Sequence, residues 1–198
     1  MRDTIIGLDP GLTGAMALLD LDGDLLDAMC FDSADGRLFY RLSASRFGLW
    51  HQTHNVRMVV VENVHSMPKQ GVSSTFKFGR ATGAVEMMAP MLQLPMDYIT
   101  PATWKRVQGL TGKEKDAARL MALRLWPQQG NCFQNKRAGQ AVADAALLAL
   151  AWLKKNPLER RLIEILTPEV GGEGPPPEQG GMPLGMESQR TKSRRRPE

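Results

Sequence analysis

The first apolar run of this chain, Ile5-Ile6-Gly7-Leu8, ends on a carboxylate, Asp9, and Pro10, Gly11, Leu12, Thr13 and Gly14 follow at once. A run this apolar belongs in a core, and an unpaired carboxylate leaves water only at a large cost unless a partner compensates it. Asp9 therefore either opens a turn, as an acid before Pro-Gly often does, or terminates a strand whose purpose is to present it. The choice depends on what the rest of the chain can bring to the same place.

Short apolar runs at Thr4–Asp9, Ala15–Leu19 and Leu25–Phe31 are separated by DPGLTG and DLDGD. The second spacer carries the Asp-Gly hairpin signal, and three strands so closely spaced predict an antiparallel meander. A helix is expected over roughly Gly36–Trp50. Next comes RMVVVEN, a fourth strand apolar enough to be covered on both faces. Residues 72–92 read as helical, MDYIT as a fifth strand, and a short helix follows Pro101. An amphipathic helix is expected to start near Lys113, another to run from Gly139 to Lys154, and a last one to cover PLERRLIEIL. The order predicts an α/β fold, a five-stranded mixed sheet flanked by helices.

Two more acids interrupt apolar surroundings. Glu62 ends the fourth strand after Val59, Val60 and Val61, and Asp144 lies inside AVADAALLALAW. Taken singly, Glu62 could be a surface strand end and Asp144 a paired core acid. Taken together with Asp9 they suggest one site. Strands one and four are expected to be parallel neighbours, and open α/β sheets gather their chemistry at the carboxyl ends of such strands. A helix packed across that edge adds Asp144. Three clustered carboxylates repel one another unless a cation holds them, and an all-oxygen set suits Mg²⁺ or Mn²⁺. Two such ions about 3.5–4 Å apart clamp the attacking and leaving oxygens of a phosphodiester, so the chemistry expected is two-metal phosphodiester hydrolysis. Three histidines (His51, His54, His65) and two cysteines without a CxxC spacing offer no zinc-type alternative.

Four segments, in order, carry a likeness to a known family: IIGLDPGLTGAMALLD, VVVENVHSMPKQGVSSTFKFGRATGAVEMM, YITPATWKRVQGLTGKEKDAARLMALRLWP and AVADAALLALAWL. Over residues 4–154 the chain resembles the RuvC family of Holliday junction resolvases, most closely the compact versions carried by bacteriophages. The resemblance implies an RNase H-like fold and a magnesium-dependent homodimer that nicks branched DNA symmetrically during recombination and repair. It assigns catalytic and metal-binding roles to Asp9, Glu62 and Asp144. The family usually has an Asp or His one turn before the last acid. Here Ala141 stands there with Gln140 beside it, so weaker metal binding is expected, with Gln140 or a water filling in. Basic residues near the scissile phosphate are expected from Lys105, Arg106, Lys113 and Lys115, with Lys69, Lys77 and Arg80 beyond the second acid. Lysine contacts phosphate as a point charge, and Lys105 and Lys113 are the favoured pair. The family's junction-wedging aromatic maps to His65 or Phe76. The Met-rich stretch TGAVEMMAPMLQL reads first as core packing, and as a two-fold contact second.

Other readings share parts of this pattern. A sugar kinase or actin-type ATPase also uses a G-x-D-x-G-x-T turn, but needs two copies of the fold. An RNase H-like nuclease of the YqgF type would act on structured RNA, and a cleavage-deficient module would bind junctions without cutting. A net charge of +4, from 25 basic and 21 acidic residues, permits a polyanionic partner. The 198 residues divide by composition into a nuclease-like domain, 1–166, and a Gly/Pro-rich tail, 167–198, expected to be disordered. The tail ends in RTKSRRRPE, and the five basic residues of the tail are matched by five acidic ones. With no leader-like pattern and no apolar run of about 18 residues, the expectation is a soluble protein of the cytoplasm of a bacterial or phage-infected cell.

Overall fold

The structure is a computed structural model that describes residues 1–11, 13–31, 36–66 and 71–166, with 36–41 as backbone. The tail from 167 onward and Lys69 lie outside the described residues. Strands β1 (Asp3–Asp9), β2 (Ala15–Asp20) and β3 (Leu25–Cys30) form the expected meander. The β2–β3 turn closes because the Asp20 carboxylate accepts the backbone N–H groups of Asp22 and Asp24 at 3.1 and 2.9 Å. Gly23 takes the left-handed backbone this turn needs, φ 91°. After helix α1 (Gly36–Thr53), β4 (Asn55–Glu62) pairs parallel to β1, and β5 (Met96–Ile99) pairs parallel to β4. The sheet order is β3-β2-β1-β4-β5, so β1 is central.

The helices depart from expectation in four places. The stretch 72–92 is two helices, α2 (Val72–Glu86) and α3 (Met88–Met91), joined at Met87. Past α4 (Pro101–Val107), the amphipathic helix begins at Ala117, not near Lys113. Gly109 and Gly112, at φ 69° and 70°, hold the intervening residues in turns, so Lys113 and Lys115 belong to a connection and not to α5 (Ala117–Leu125). A 3₁₀ helix (Pro127–Phe133) with no sequence forecast then precedes α6 (Lys136–Lys155). Helix α6 starts three residues earlier than expected because Asn135 caps it, its Oδ1 accepting the N–H of Arg137 and Ala138 at 3.0 and 2.9 Å. Helix α7 (Pro157–Leu166) is as expected. Among the described residues no helix is long and apolar enough to cross a membrane.

Alternation along the strands sorts the core into two layers. Ile6 and Leu8 of β1, Met16 and Leu18 of β2, and Val59 and Val61 of β4 pack against Phe47 and Trp50 of α1 and Val85, Met88 and Ala89. Ile5, Ala15, Ala17, Leu19 and Val60 face the other way, toward α6. On that side Gly7 lets the helix sit on the strand itself. A Cβ at Gly7 would lie 2.1 Å from the Ala145 carbonyl oxygen and 3.0 Å from the Ala149 Cβ. Gly7→Ala must therefore lift α6 off β1 and is expected to cost about 1–3 kcal/mol, read as a lowered urea midpoint. An unchanged midpoint would show that the approach is not tight.

Candidate active site

The same alternation that sorts the core aims two acids. Asp9 shares the parity of Ile5 and Gly7, and Glu62 shares that of Val60, so both extend toward the α6 face at the carboxyl ends of neighbouring parallel strands. The registered pair Leu8 with Val61 is the last step before them. Helix α6, held close by Gly7, carries Asp144 one residue before Ala145. The turn after Asp9 is equally tight: a Cβ on Gly14 would meet the Asp9 carbonyl oxygen at 1.9 Å. The residue types of the opening motif thus have a mechanical reason.

The three acids feel one another strongly. Burial, then the charges of Glu62 and Asp144, raise the Asp9 carboxyl well above the ordinary carboxylate range. The Asp9 carboxyl lies close enough to Glu62 that proximity adds to the effect of charge in favouring its neutral form. Asp144 is pushed up to about 7, first by burial and then by Glu62, with Lys105 and a hydrogen bond from Gln140 acting the other way. Gln140 Nε2 donates to Asp144 Oδ1 at 2.9 Å, while its Oε1 is buried without a hydrogen-bond partner. Glu62 is held from the far side by the indole of Trp104, whose Nε1 donates to Oε1 at 2.7 Å.

Asp9 and Asp144 open onto a cavity of about 660 Å³ also lined by Thr13, Glu114, Lys115, Asp116, Lys136, Arg137, Gln140 and Ala141. Asp9 and Thr13 line a second cavity, about 310 Å³, to which α2 contributes Ser74 and Phe78. The donor set is all oxygen, partly buried and short of positive charge, and the orphaned amide oxygen of Gln140 adds one neutral donor beside it. In kind these residues fit a hard divalent ion. They do not form a finished cage: among the described residues no three His, Cys, Asp or Glu side chains are gathered into a metal-holding group.

Of the other residues picked from sequence, Lys105 acts electrostatically on both Asp9 and Asp144, and Lys115 lines the larger cavity. Arg106 and Lys113 are exposed on α4 and on the connection after it. His65 is exposed beyond β4. Phe76 is on α2 rather than in the loop, exposed, with Arg80 over its ring at 5.8 Å. Lys69 cannot be located among the described residues. Ala141 lines the cavity with a methyl where the resemblance anticipates an acid or imidazole. Sequence reading missed Lys136 and Arg137, Phe78, and Trp104. The Asn135 cap was the available signal for the first two.

Among solved structures, the chain is similar to Thermus thermophilus RuvC in complex with a Holliday junction substrate. The two are 19% identical with a TM-score of 0.57, over 78% of this chain and 95% of that one. A further structure of Thermus thermophilus RuvC is 17% identical, with a TM-score of 0.58 over 77% and 96% of the two chains. The fold is RNase H-like, of the RuvC type. No protein-family model and no curated protein matches the chain.

The RuvC-type fold thus carries acids that prefer their neutral forms. Between about pH 4 and pH 7 the folded protein holds protons that the unfolded chain releases, so stability falls as pH rises through that window. In divalent-free buffer the thermal midpoint is expected to drop over this range. Asp144→Asn should flatten the drop and raise the midpoint at pH 7.5 by about 3 °C. A midpoint that falls as steeply in the variant would contradict the electrostatic account.

Proposed function

We propose that this chain is a metal-dependent endonuclease that nicks branched DNA, four-way junctions first of all. The observation that carries this reading is the meeting of Asp9, Glu62 and Asp144 on one face of the sheet beside a cavity whose wall brings Lys115, Lys136 and Arg137 together with Glu114 and Asp116. A phosphodiester is the substrate class that such a divided surface suits. Acids at the floor can hold cations against the reacting phosphate, and the cations of the wall can hold its neighbours. The RuvC-type fold and the junction substrate bound by the Thermus relative support branched DNA over other polyanions.

In this reading Asp9, Glu62 and Asp144 hold Mg²⁺ or Mn²⁺, with Gln140 supplying a neutral amide oxygen in place of a fourth charged ligand. When bound, the ions supply Lewis-acid activation of the phosphate and of an attacking water. The chain's own part is positional. Glu62 and Asp9 are mounted on adjacent rigid strands, and Asp144 on the helix that crosses them. Lys105 contributes positive charge at the acids, and Lys115, Lys136 and Arg137 receive flanking phosphates as charged donors. Among the described residues no salt bridge holds these last three, and Lys136 acts on the neighbouring Asp116 through its charge alone.

A homodimer fits a two-fold substrate. The Met-rich stretch supports it: Val85, Met88 and Ala89 are core, whereas Met87 and Met91 are 54% and 74% exposed. The compact, phage-borne form of the family is the reading favoured by the sequence motifs. A cleavage-deficient junction binder is the second reading, because Ala141 removes one charged ligand from the cavity wall.

Labelled four-way junction, linear duplex, RNA–DNA hybrid and structured RNA, each offered with Mg²⁺, separate these readings. Junction nicking by wild type, lost by at least about 100-fold in Asp9→Asn while junction binding persists, is the expected result. Binding without nicking would favour the second reading, and preferred cutting of RNA the YqgF-type alternative. Lys136→Ala and Arg137→Ala should each weaken junction binding and lower the salt slope by about 1. A slope equal to that of wild type would remove them from the interface.

A further inference from the structure

All four tryptophans of this chain donate their indole N–H, three of them to carboxylates: Trp50 to Asp27, Trp152 to Asp97 and Trp104 to Glu62. Only the last carboxylate belongs to the acid cluster. Trp104 is 1% exposed, and its bond to Glu62 Oε1 is 2.7 Å long. Its ring is also a platform, since Lys105 Nζ lies over it at 5.3 Å from the centroid. Lys105 is the cation that acts on Asp9 and Asp144. One buried side chain therefore fixes an acid from β4 with its edge and supports the neutralising lysine with its face.

The mounting of Trp104 is itself rigid. Helix α4 starts on Pro101, with the Thr100 hydroxyl capping the N–H of Thr103 at 3.3 Å. Just past its end, Gln108 ties it to α6: Nε2 donates to the Leu147 carbonyl at 2.8 Å, and Oε1 accepts from Lys154 at 2.7 Å. The indole is thus registered against the helix that carries Asp144, three residues before Leu147. A glutamate at a strand end has three free torsions. Tying one of its oxygens limits those torsions and holds the carboxylate beside Asp9.

We propose that Trp104 is a positioning residue of this site, orienting Glu62 for the cation and seating Lys105 above the acids. The inference rests on the metal-dependent reading above and deepens it. Hydrogen-bond partners behind a ligand set its orientation, and losing one typically weakens metal binding by 10–100-fold. Trp104→Phe keeps a ring beneath Lys105 and deletes only the N–H. Trp152→Phe makes the same deletion at the Asp97 pair and serves as the comparison for stability.

The test uses the full chain and Mn²⁺ alone, with free Mn²⁺ followed by electron paramagnetic resonance. Trp104→Phe should bind Mn²⁺ about 10–100-fold more weakly than wild type. Trp152→Phe should bind as wild type does, and both variants should bind four-way junction in EDTA at wild-type strength. Wild-type Mn²⁺ affinity in Trp104→Phe, or an equal loss in Trp152→Phe, overturns the proposal. The indole N–H resonances separate this failure from failure of the metal reading. Glu62→Gln should shift the Trp104 indole resonance and leave those of Trp50, Trp126 and Trp152 in place. If wild type takes up no Mn²⁺, the metal reading falls and the indole shift alone decides the positioning role. A Trp104 resonance unmoved by Glu62→Gln overturns that role in either case.

Discussion

How closely α6 lies on β1 controls everything at the carboxyl edge of the sheet. The two sides of the sheet are built differently. One is covered by large side chains, Phe47, Trp50 and Met88 among them, which keep α1 at a distance. The other is alanine against glycine, with Gly7 beneath Ala145 and Ala149. Only the thin side lets a short aspartate on a helix reach acids at the ends of strands. The small residues of α6 are thus more than helix formers: they let Asp144 meet Asp9 and Glu62.

That meeting is unfavourable for the protein by itself. Burial and the charges of their neighbours hold Asp9 and Asp144 toward their neutral forms. A fold accepts such a cluster where function needs strained electrostatics, at a cost in stability. The surrounding groups limit that cost without removing it. Trp104 satisfies one oxygen of Glu62, Gln140 one oxygen of Asp144, and Lys105 offsets part of the charge. What remains is a negative floor next to a wall that carries three cations, Lys115, Lys136 and Arg137, among two further acids, Glu114 and Asp116. That arrangement offers a phosphate backbone charged donors beside divalent ions. Ala141 makes that floor less acidic than the resemblance anticipates, and the unpartnered amide oxygen of Gln140 stands where the compensation would come from.

Much of this was open to inspection in the amino-acid order because local chemistry writes itself there. Strand parity aims Asp9 and Glu62 the same way once Ile5, Gly7 and Val60 are read as inward. The Asp22-Gly23 turn announces the meander, and the valine run before Glu62 announces a strand covered on both sides. Errors arose where phase or capping decided the outcome. Phe76 and Phe78 are two residues apart on α2, about 200° around a helix, so one is exposed while the other lines a cavity beside Asp9. The Asn135 cap moves the start of α6 back by three residues and brings Lys136 and Arg137 to the cavity. Gly109 and Gly112 stop the next helix from beginning at Lys113.

From the order of residues alone came the strands, their direction, the three acids and the expectation that a cation reconciles them, since periodicity and unpaired charge are local properties. Which side chains flank those acids was settled only by packing. Trp104 is far from Glu62 along the chain, and Lys136 and Arg137 are farther still from Asp9. No spacing rule links them, because their proximity comes from the crossing of α4 and α6 over the sheet edge. Distances between separate elements are set when the core closes, and closure depends on volumes summed over many residues.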